Sequence, residues 1–597
     1  MDVSHIIDSL NDAQREAVTA QNDHLLVLAG AGSGKTRVLV HRMAWLMSVD
    51  RVPPTSILAV TFTNKAAKEM RYRVEQMMQI PTRGLWIGTF HGIAHRLLRS
   101  HWKDAGLPEN FQVLDSDDQL RLIKRVMREN RIDESQWPPK QAQWFINSQK
   151  DEGLRADHIQ ENPGDHFTNT MLKIYRQYEK LCQQGGLVDF GELLLRSHEL
   201  WLHRPELLSH YQQRFQHILV DEFQDTNTIQ YAWLQVLASN RVPLTVVGDD
   251  DQSIYGWRGA KIENIQQYQR DFPNSRLVRL EQNYRSTKTI LKAANSVIAN
   301  NQGRLGKELW TDGVEGEPIS LYAAFNEQDE ANYIADSISA WVSEGNLRSE
   351  CAILYRSNAQ SRVLEEALMR QGIPYRVYGG LRFYDRQEIR NALAYLRLVH
   401  YHRDDAAFER VVNIPTRGIG AKSLQEIREY ATGQGISLWE SSERLLAAGQ
   451  VKGRAKTGLQ QFMEIINTLS EMAGHASLQG LMKQAIESSG LKDYHASEKG
   501  EKGQARVENL EELVSALADY DVEEGVDPLA EFIAQAALDA GESQADAHED
   551  SVQLMTLHSA KGLEFPMVFL AGVEEGLFPH SMSLEEPGRM EEERRLA

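Results

Sequence analysis

A lysine and a threonine follow a glycine-rich turn in the run LLVLAGAGSGKTRVLV at 25–40. Those residue types at that spacing make an anion cradle. Gly30, Gly32 and Gly34 let the backbone bend until several N–H groups face one oxyanion. Ala29 stands where the strict phosphate-loop pattern has glycine, and Ala31 and Ser33 complete the turn. Lys35 brings a point charge to the terminal phosphates, and the Thr36 hydroxyl suits Mg²⁺. A helix opening at this point adds the positive end of its dipole. A nucleoside triphosphate is the ligand such a loop holds, provided a strand precedes it and a helix follows.

Two further segments carry chemistry. In ILVDEFQDTN at 218–227 a short apolar run delivers Asp221 and Glu222 to its C-terminal end. Asp221 is placed to hold Mg²⁺, and Glu222 to act as base for an attacking water. In VVGDDDQSIYGWRGA at 246–260, Gln252 suits a hydrogen-bonding sensor of the terminal phosphate. Tyr255, Trp257 and Arg258 offer planar faces on which unpaired bases stack. Core packing accounts for the same aromatic types. Phe62 in TFTNKAA and His91 in GTFHG each follow a strand end, and singly each fits packing as well as base contact.

The elements that must position these residues read as alternating strands and helices. Leu25–Leu28, Ile57–Thr61 and Leu85–Thr89 are strand-like, with a helix from Ala66, which argues for a parallel sheet with crossover helices. From 91 to 215 strand-like runs vanish and helical periodicity dominates, as in Gln119–Val126 and Met171–Cys182. His217–Val220 and Leu244–Val247 return to strands. The organisation expected is therefore a first α/β unit at 1–90 and 216–281, interrupted by a helical insertion at 91–215. A second α/β unit at 282–379 and 550–597 surrounds a helical insertion at 380–549. Its expected strands are Ile319–Tyr322, Ala352–Tyr355, Val552–Leu557 and Met567–Gly572, with a helix at Arg362–Gln371. Gly541–Asp550, acidic and poor in apolar residues, reads as an exposed connector.

Bulk properties agree. At 597 residues the chain exceeds one core, and about three to five domains are expected. The composition, 42% hydrophobic and 25% charged, is that of an ordinary globular protein. Apolar runs are too short for a membrane span, and the N-terminus has no secretion pattern. Two cysteines make neither a disulfide framework nor a zinc site and fit a reducing cytoplasm. A net charge of −19 argues against a protein that coats nucleic acid indiscriminately, while leaving room for a local basic groove.

Together the pieces LNDAQREAV (10–18), AGAGSGKTR, TFTNKAAKEM, GTFHG, VDEFQDTN, GDDDQSIYGWRGA, QNYRS (282–286), YRSNAQSR (355–362) and TLHSAKGLEF (556–565) spell a pattern. The chain resembles the superfamily 1A DNA helicases of the UvrD, PcrA and Rep type, over nearly its whole length. The resemblance implies two RecA-like P-loop domains with parallel sheets, each carrying a mainly helical insertion, and ATP with Mg²⁺ in the cleft between them. It implies that Gln14 reads adenine, that Arg37 and Tyr284 flank the adenine ring, that Arg285 is an arginine finger, and that Glu564 contacts the ribose. Phe62, His91, Tyr255, Trp257 and Arg258 match positions along a single-strand path, and Arg356, Asn358 and His558 the facing side of the second domain. The turn Arg417, Gly418, Gly420 resembles a duplex-contacting turn; on residues alone it reads as an interhelical loop. The resemblance further implies 3′→5′ polarity, action on single-stranded DNA and single–double-strand junctions, roles in excision and mismatch repair, a monomer or dimer, and a cytoplasmic, nucleoid-associated location.

At the end of the sequence Met590–Ala597 reads as a helix with Leu596 on an apolar face and no cap. The family continues past this point into a segment with a second arginine finger. The expectation is a chain that stops short, its second sheet lacking the last strands. A nucleotide- and DNA-binding fragment with little ATPase activity is therefore the alternative to an active helicase. A P-loop ATPase acting on a partner other than nucleic acid is the third class, distinguished by what Phe62, Tyr255 and Trp257 contact.

Overall fold

The computed structural model describes residues 3–21, 23–80, 84–134, 136–239, 241–256, 259–356, 360–378, 386–496, 506–507, 509–511, 513–514, 517, 520, 526–539, 550–580, 583 and 588–597. Its strands in chain order are β1 Leu25–Ala29, β2 Ile57–Thr61, β3 Trp86–Thr89, β4 Gln112–Val113, β5 Leu187–Val188, β6 His217–Val220, β7 Leu244–Gly248, β8 Arg276–Leu280, β9 Cys351–Tyr355, β10 Tyr375–Tyr378, β11 Val552–Thr556 and β12 Met567–Leu570. A six-stranded sheet in the order β3-β2-β6-β7-β1-β8 is parallel throughout. A second parallel sheet has the order β10-β11-β9-β12.

The strand sequences explain the first sheet. Strands β1, β2, β6 and β7 are buried along their whole length, as parallel strands covered on both faces require. Successive residues feed two different cores. Leu26, Leu28, Leu58, Val60, Ile218 and Val220 enter one, and Leu25, Val27, Ile57, Ala59 and Leu219 the other. At about 1.5–3 kcal/mol for each fully buried aliphatic side chain, this strip outweighs any local preference and sets the register. Leu26 therefore faces Val246, and Val60 faces Val220.

Between β3 and β6 lie mainly helices, among them Ser116–Glu129, His166–Gly185 and Phe190–His203. Between β10 and β11 lie further helices with their own core, including Tyr395, Phe408 and Phe462. The two helical blocks meet where buried Asp118 pairs with Arg397.

Four expectations need correction. Ile319–Tyr322 is no strand: among the described residues none pairs with it, and Leu321 and Phe325 are 94% and 95% exposed. An apolar alternation without a ladder partner leaves the backbone unpaired, and period alone does not reveal that. β8 was missed because its two arginines, Arg276 and Arg279, face solvent on an edge and break the apolar run. β10, YRVY, is half-buried throughout and gives no clear period. The first helical block contains the pair β4–β5, two residues each, too short to leave a periodic signal. The terminal helix is present at Arg589–Leu596, and Leu596 packs with Ile254, Leu557 and Phe578. The connector expected at Gly541–Asp550 lies outside the described residues up to Asp550.

The segment after β8 is stitched to the first sheet. Gln282 bridges to Trp310, and Lys307, almost fully buried, places its ammonium 2.6, 2.5 and 2.8 Å from carboxylate oxygens of Asp249, Asp250 and Asp251. Arg304 adds two hydrogen bonds to Asp251 at 2.8 Å. Removing one side of a buried ion cluster leaves uncompensated charge. Lys307→Met is accordingly expected to lower unfolding stability by about 3–5 kcal/mol in urea titrations followed by far-UV circular dichroism. An unchanged midpoint would show that Arg304 alone neutralises the triad.

Candidate active site

All strands of the first sheet point the same way, so their C-terminal ends open on one edge. That edge receives the glycine-rich loop after β1, Phe62 after β2, His91 after β3, Asp221 and Glu222 after β6, and Gln252 and Tyr255 after β7. Open parallel sheets bind their ligands at this edge.

The loop has the shape its glycines imply. Gly32 and Gly34 lie at φ +64° and +88°, where only glycine is unstrained, and Gly34 starts the helix Lys35–Ser48. The Gly30 N–H donates to Leu280 O, and Ser33 Oγ donates to Gly30 O. Lys35 Nζ donates to Gln252 Oε1 at 2.6 Å and lies 3.4 Å from Glu222 Oε2. Thr36 Oγ1 donates to Asp221 Oδ2 at 3.5 Å. Residues from three separated sequence segments thus converge.

Glu222 sits at φ +50°, a conformation that non-glycine residues rarely adopt and that often marks functional positions. Burial works to raise its pKa, but Lys35 and Lys561 outweigh that and bring it to about 2. It is a carboxylate at neutral pH, and Gln224 Nε2 donates to it. Burial, and then the neighbouring Glu222, push Asp221 up to about 7. A buried carboxylate so disfavoured as an anion, beside a hydroxyl, is a hard-oxygen donor set that fits Mg²⁺. By contrast, the acidic triad Asp249–Asp251 already holds the ammonium of Lys307.

Around this centre stand the expected nucleotide contacts. Gln14 is 1% exposed; its Nε2 donates to Ser33 O at 2.8 Å, and its Oε1 accepts from the Asn11 N–H in a capping box. As folded, Gln14 braces the loop. Arg37 donates to Ser9 O. Tyr284 is exposed, its hydroxyl held between Asn11 and Gln282. Arg285 forms an ion pair with Glu564, joining two residues from distant segments.

Lys561 was absent from the expected set. It extends from the turn after β11, and its ammonium donates to Asp225 Oδ2 at 2.5 Å and to Gln252 O at 2.9 Å. The same ammonium lies 3.8 Å from Glu222 and 5.1 Å from the Tyr255 ring centre. Its place in SAKGLEF was a sequence signal, but its partners lie more than 300 residues away.

The candidate nucleic-acid residues fall into groups. Phe62 packs edge-on against Phe90 at 5.6 Å, and His91 against Phe190 at 5.5 Å. Burial lowers the His91 pKa to about 4, so the ring is neutral. Tyr255 donates its hydroxyl to His558 O at 3.2 Å, which brings these two across the cleft. Arg356 makes a two-pronged pair with Glu593 at 2.7 and 3.0 Å. Trp257, Arg258 and Asn358 lie outside the described residues. Arg417 turns inward, donating to Val411 O, Pro415 O, Tyr395 Oη and Ser489 O. Its guanidinium therefore braces the turn from within.

A glycine-rich phosphate loop, a strand-end acidic pair and a second parallel sheet across the cleft define a two-sheet RecA-like P-loop protein. Residues 10–273 match the UvrD/REP helicase N-terminal domain and residues 278–597 the UvrD-like helicase C-terminal domain. The chain belongs to the UvrD-like helicase family. DNA helicase II of Escherichia coli is 60% identical over 600 residues, covering 100% of this chain and 83% of the relative. DNA helicase II of Haemophilus influenzae is 56% identical over 604 residues, with the same coverage of each chain. The ATP-dependent DNA helicase PcrA of Bacillus subtilis is 43% identical over 601 residues, covering 100% of this chain and 81% of the relative.

Lys561 joins the phosphate site to the aromatic Tyr255, so Lys561→Ala is expected to lower DNA-stimulated ATP turnover by about tenfold or more, with KM for ATP changed less than about threefold. Steady-state hydrolysis with and without oligonucleotide checks this. An equal fall in the unstimulated rate would assign Lys561 to the chemistry alone.

Proposed function

We propose that this chain hydrolyses ATP to move 3′→5′ along single-stranded DNA and so separates duplex strands. Family membership and the phosphate site make it an ATP-hydrolysing DNA helicase. The observation that carries the reading is one sheet edge with phosphate chemistry after β1, β6 and β7 and Phe62, His91 and Tyr255 after β2, β3 and β7. Lys561 and the Tyr255–His558 contact reach that edge from the second sheet.

In this reading Glu222, held ionised, takes a proton from the water that attacks the γ-phosphate in line. Lys35 and Arg285 neutralise charge on the transferring group. Gln252, hydrogen-bonded to Lys35, reports whether that phosphate is present. Mg²⁺ held by Thr36 and Asp221 would neutralise the phosphate oxygens. Gln14, Arg37, Tyr284 and Glu564 hold the nucleoside, with the backbone of Ala29–Gly34 around the phosphates. Cleft closure and opening shift the aromatic contacts along the strand, turning hydrolysis into steps. Phe62, His91, Tyr255, Trp257, Arg258, Arg356, Asn358 and His558 line that strand, and Gly418 and Gly420 meet the duplex.

The domain division proposed is 1–90 with 216–281, 91–215, 282–379 with 550–597, and 380–549. Excision and mismatch repair are the proposed roles, on single-stranded DNA and junctions, as monomer or dimer, in the cytoplasm at the nucleoid. Among the described residues no helix is long and apolar enough to cross a membrane.

Glu222→Gln is expected to cut kcat by ~10²–10⁴-fold while ATP still binds. Fluorescent-nucleotide titration and steady-state turnover read the two effects separately. Duplexes with a 3′ single-stranded tail should be unwound, and those with a 5′ tail should not. The reverse preference would overturn the polarity, and ATP binding without DNA-stimulated hydrolysis would overturn the enzyme reading.

A further inference from the structure

A buried side chain joins the phosphate loop to the segment that carries Arg285. Asn283 is 2% exposed. Its Nδ2 donates to Ala31 O at 2.7 Å, inside the loop. Its Oδ1 accepts from the N–H groups of Arg285 at 2.8 Å and Ser286 at 2.7 Å. Its own N–H donates to Trp310 O, and the Tyr284 N–H donates to Gly32 O. The packing leaves no slack: a methyl group on Gly32 would stand 2.6 Å from Asn283 Nδ2 and 2.8 Å from Arg285 Cβ. One amide therefore spans the bend that cradles phosphate and the backbone from which Arg285 projects.

We propose that Asn283 is a positioning residue for the hydrolysis step: it ties the phosphate loop to Arg285, so that the guanidinium is aimed from the loop's own frame. This inference rests on the reading of Arg285 as a neutraliser of the γ-phosphate. The physical reason is geometric. A guanidinium on a long, flexible side chain is useful only if its backbone is fixed relative to the reacting phosphorus, because small misplacements cost large factors in rate. An asparagine amide is suited to that task, since it donates and accepts at once and carries no charge beside the triphosphate.

The test is a mutant cycle on the full chain, with single-stranded DNA present. Arg285→Ala is expected to lower kcat by ~10³-fold. Asn283→Ala is expected to lower kcat by ~10²-fold with KM for ATP within ~3-fold, and the double variant to stay within ~2-fold of Arg285→Ala alone. Independent residues would multiply to ~10⁵-fold, and that result would overturn the inference. Asn283→Asp keeps the acceptor for Arg285 and Ser286 but loses the donor to Ala31. Without that tie it is expected to lower kcat by ~10²-fold, and its added negative charge beside the triphosphate to raise KM for ATP by ~10-fold or more; kcat within ~5-fold of the parent would overturn the inference. This variant also carries the test if the alanine form fails to fold. Falls of kcat in the Asn283 variants that follow a lowered melting temperature and multiply with that of Arg285→Ala would mark Asn283 as merely structural and overturn the proposal. Wild-type kcat in Asn283→Ala beside a slow Arg285→Ala would overturn this inference and leave the arginine reading intact. A fully active Arg285→Ala would overturn both.

Discussion

Parallel strand direction in the first sheet is the constraint on which the rest depends. Once β1, β2, β3, β6 and β7 run the same way, whatever follows each strand must emerge on a single edge. The direction itself follows from burial. Strands covered on both faces read as continuous apolar runs, and helical crossovers supply the cover. The long block between β3 and β6 interrupts the sequence without disturbing this arrangement, because a crossover tolerates any insertion whose ends return to the sheet.

On that edge charge is arranged in opposition. Burial alone would leave Asp221 and Glu222 poorly ionised, and two adjacent carboxylates aggravate the cost. Lys35 from one sheet and Lys561 from the other resolve it at Glu222, which becomes the ionised member, while Asp221 retains its demand for a cation. Which of the two carboxylates is the ionised one is thus set by which of them the ammonium groups reach. Lys307 does the same for the neighbouring aspartate triad, so that the loop carrying Gln252 is anchored by a protein cation.

The second sheet contributes less core and more coupling. Arg285 meets Glu564, Tyr255 meets His558, and Lys561 meets Asp225, each contact joining segments far apart in the chain. Polar contacts of this kind are individually modest and remake readily, unlike the interdigitated core beneath them. A cleft held by them can open and close while each sheet keeps its packing.

The sequence by itself determined the phosphate loop, the acidic pair and most of the strands, because each rests on short-range facts: glycine at positions of positive φ, apolar runs, and turns at their ends. It misjudged Ile319–Tyr322 and missed β8, since strand status belongs to a hydrogen-bonded pair and not to a segment. Residues alone read the turn at Arg417 as an interhelical loop, and the fold shows what holds it, the guanidinium set on Tyr395 and Ser489. Only the tertiary structure decided the partners of Lys561, Lys307 and Asn283. Their residue types are ordinary, and their meaning lies in partners that adjacent positions in the chain do not reveal. Charge and hydrogen bonding act through distance in space, while periodicity records only distance along the chain.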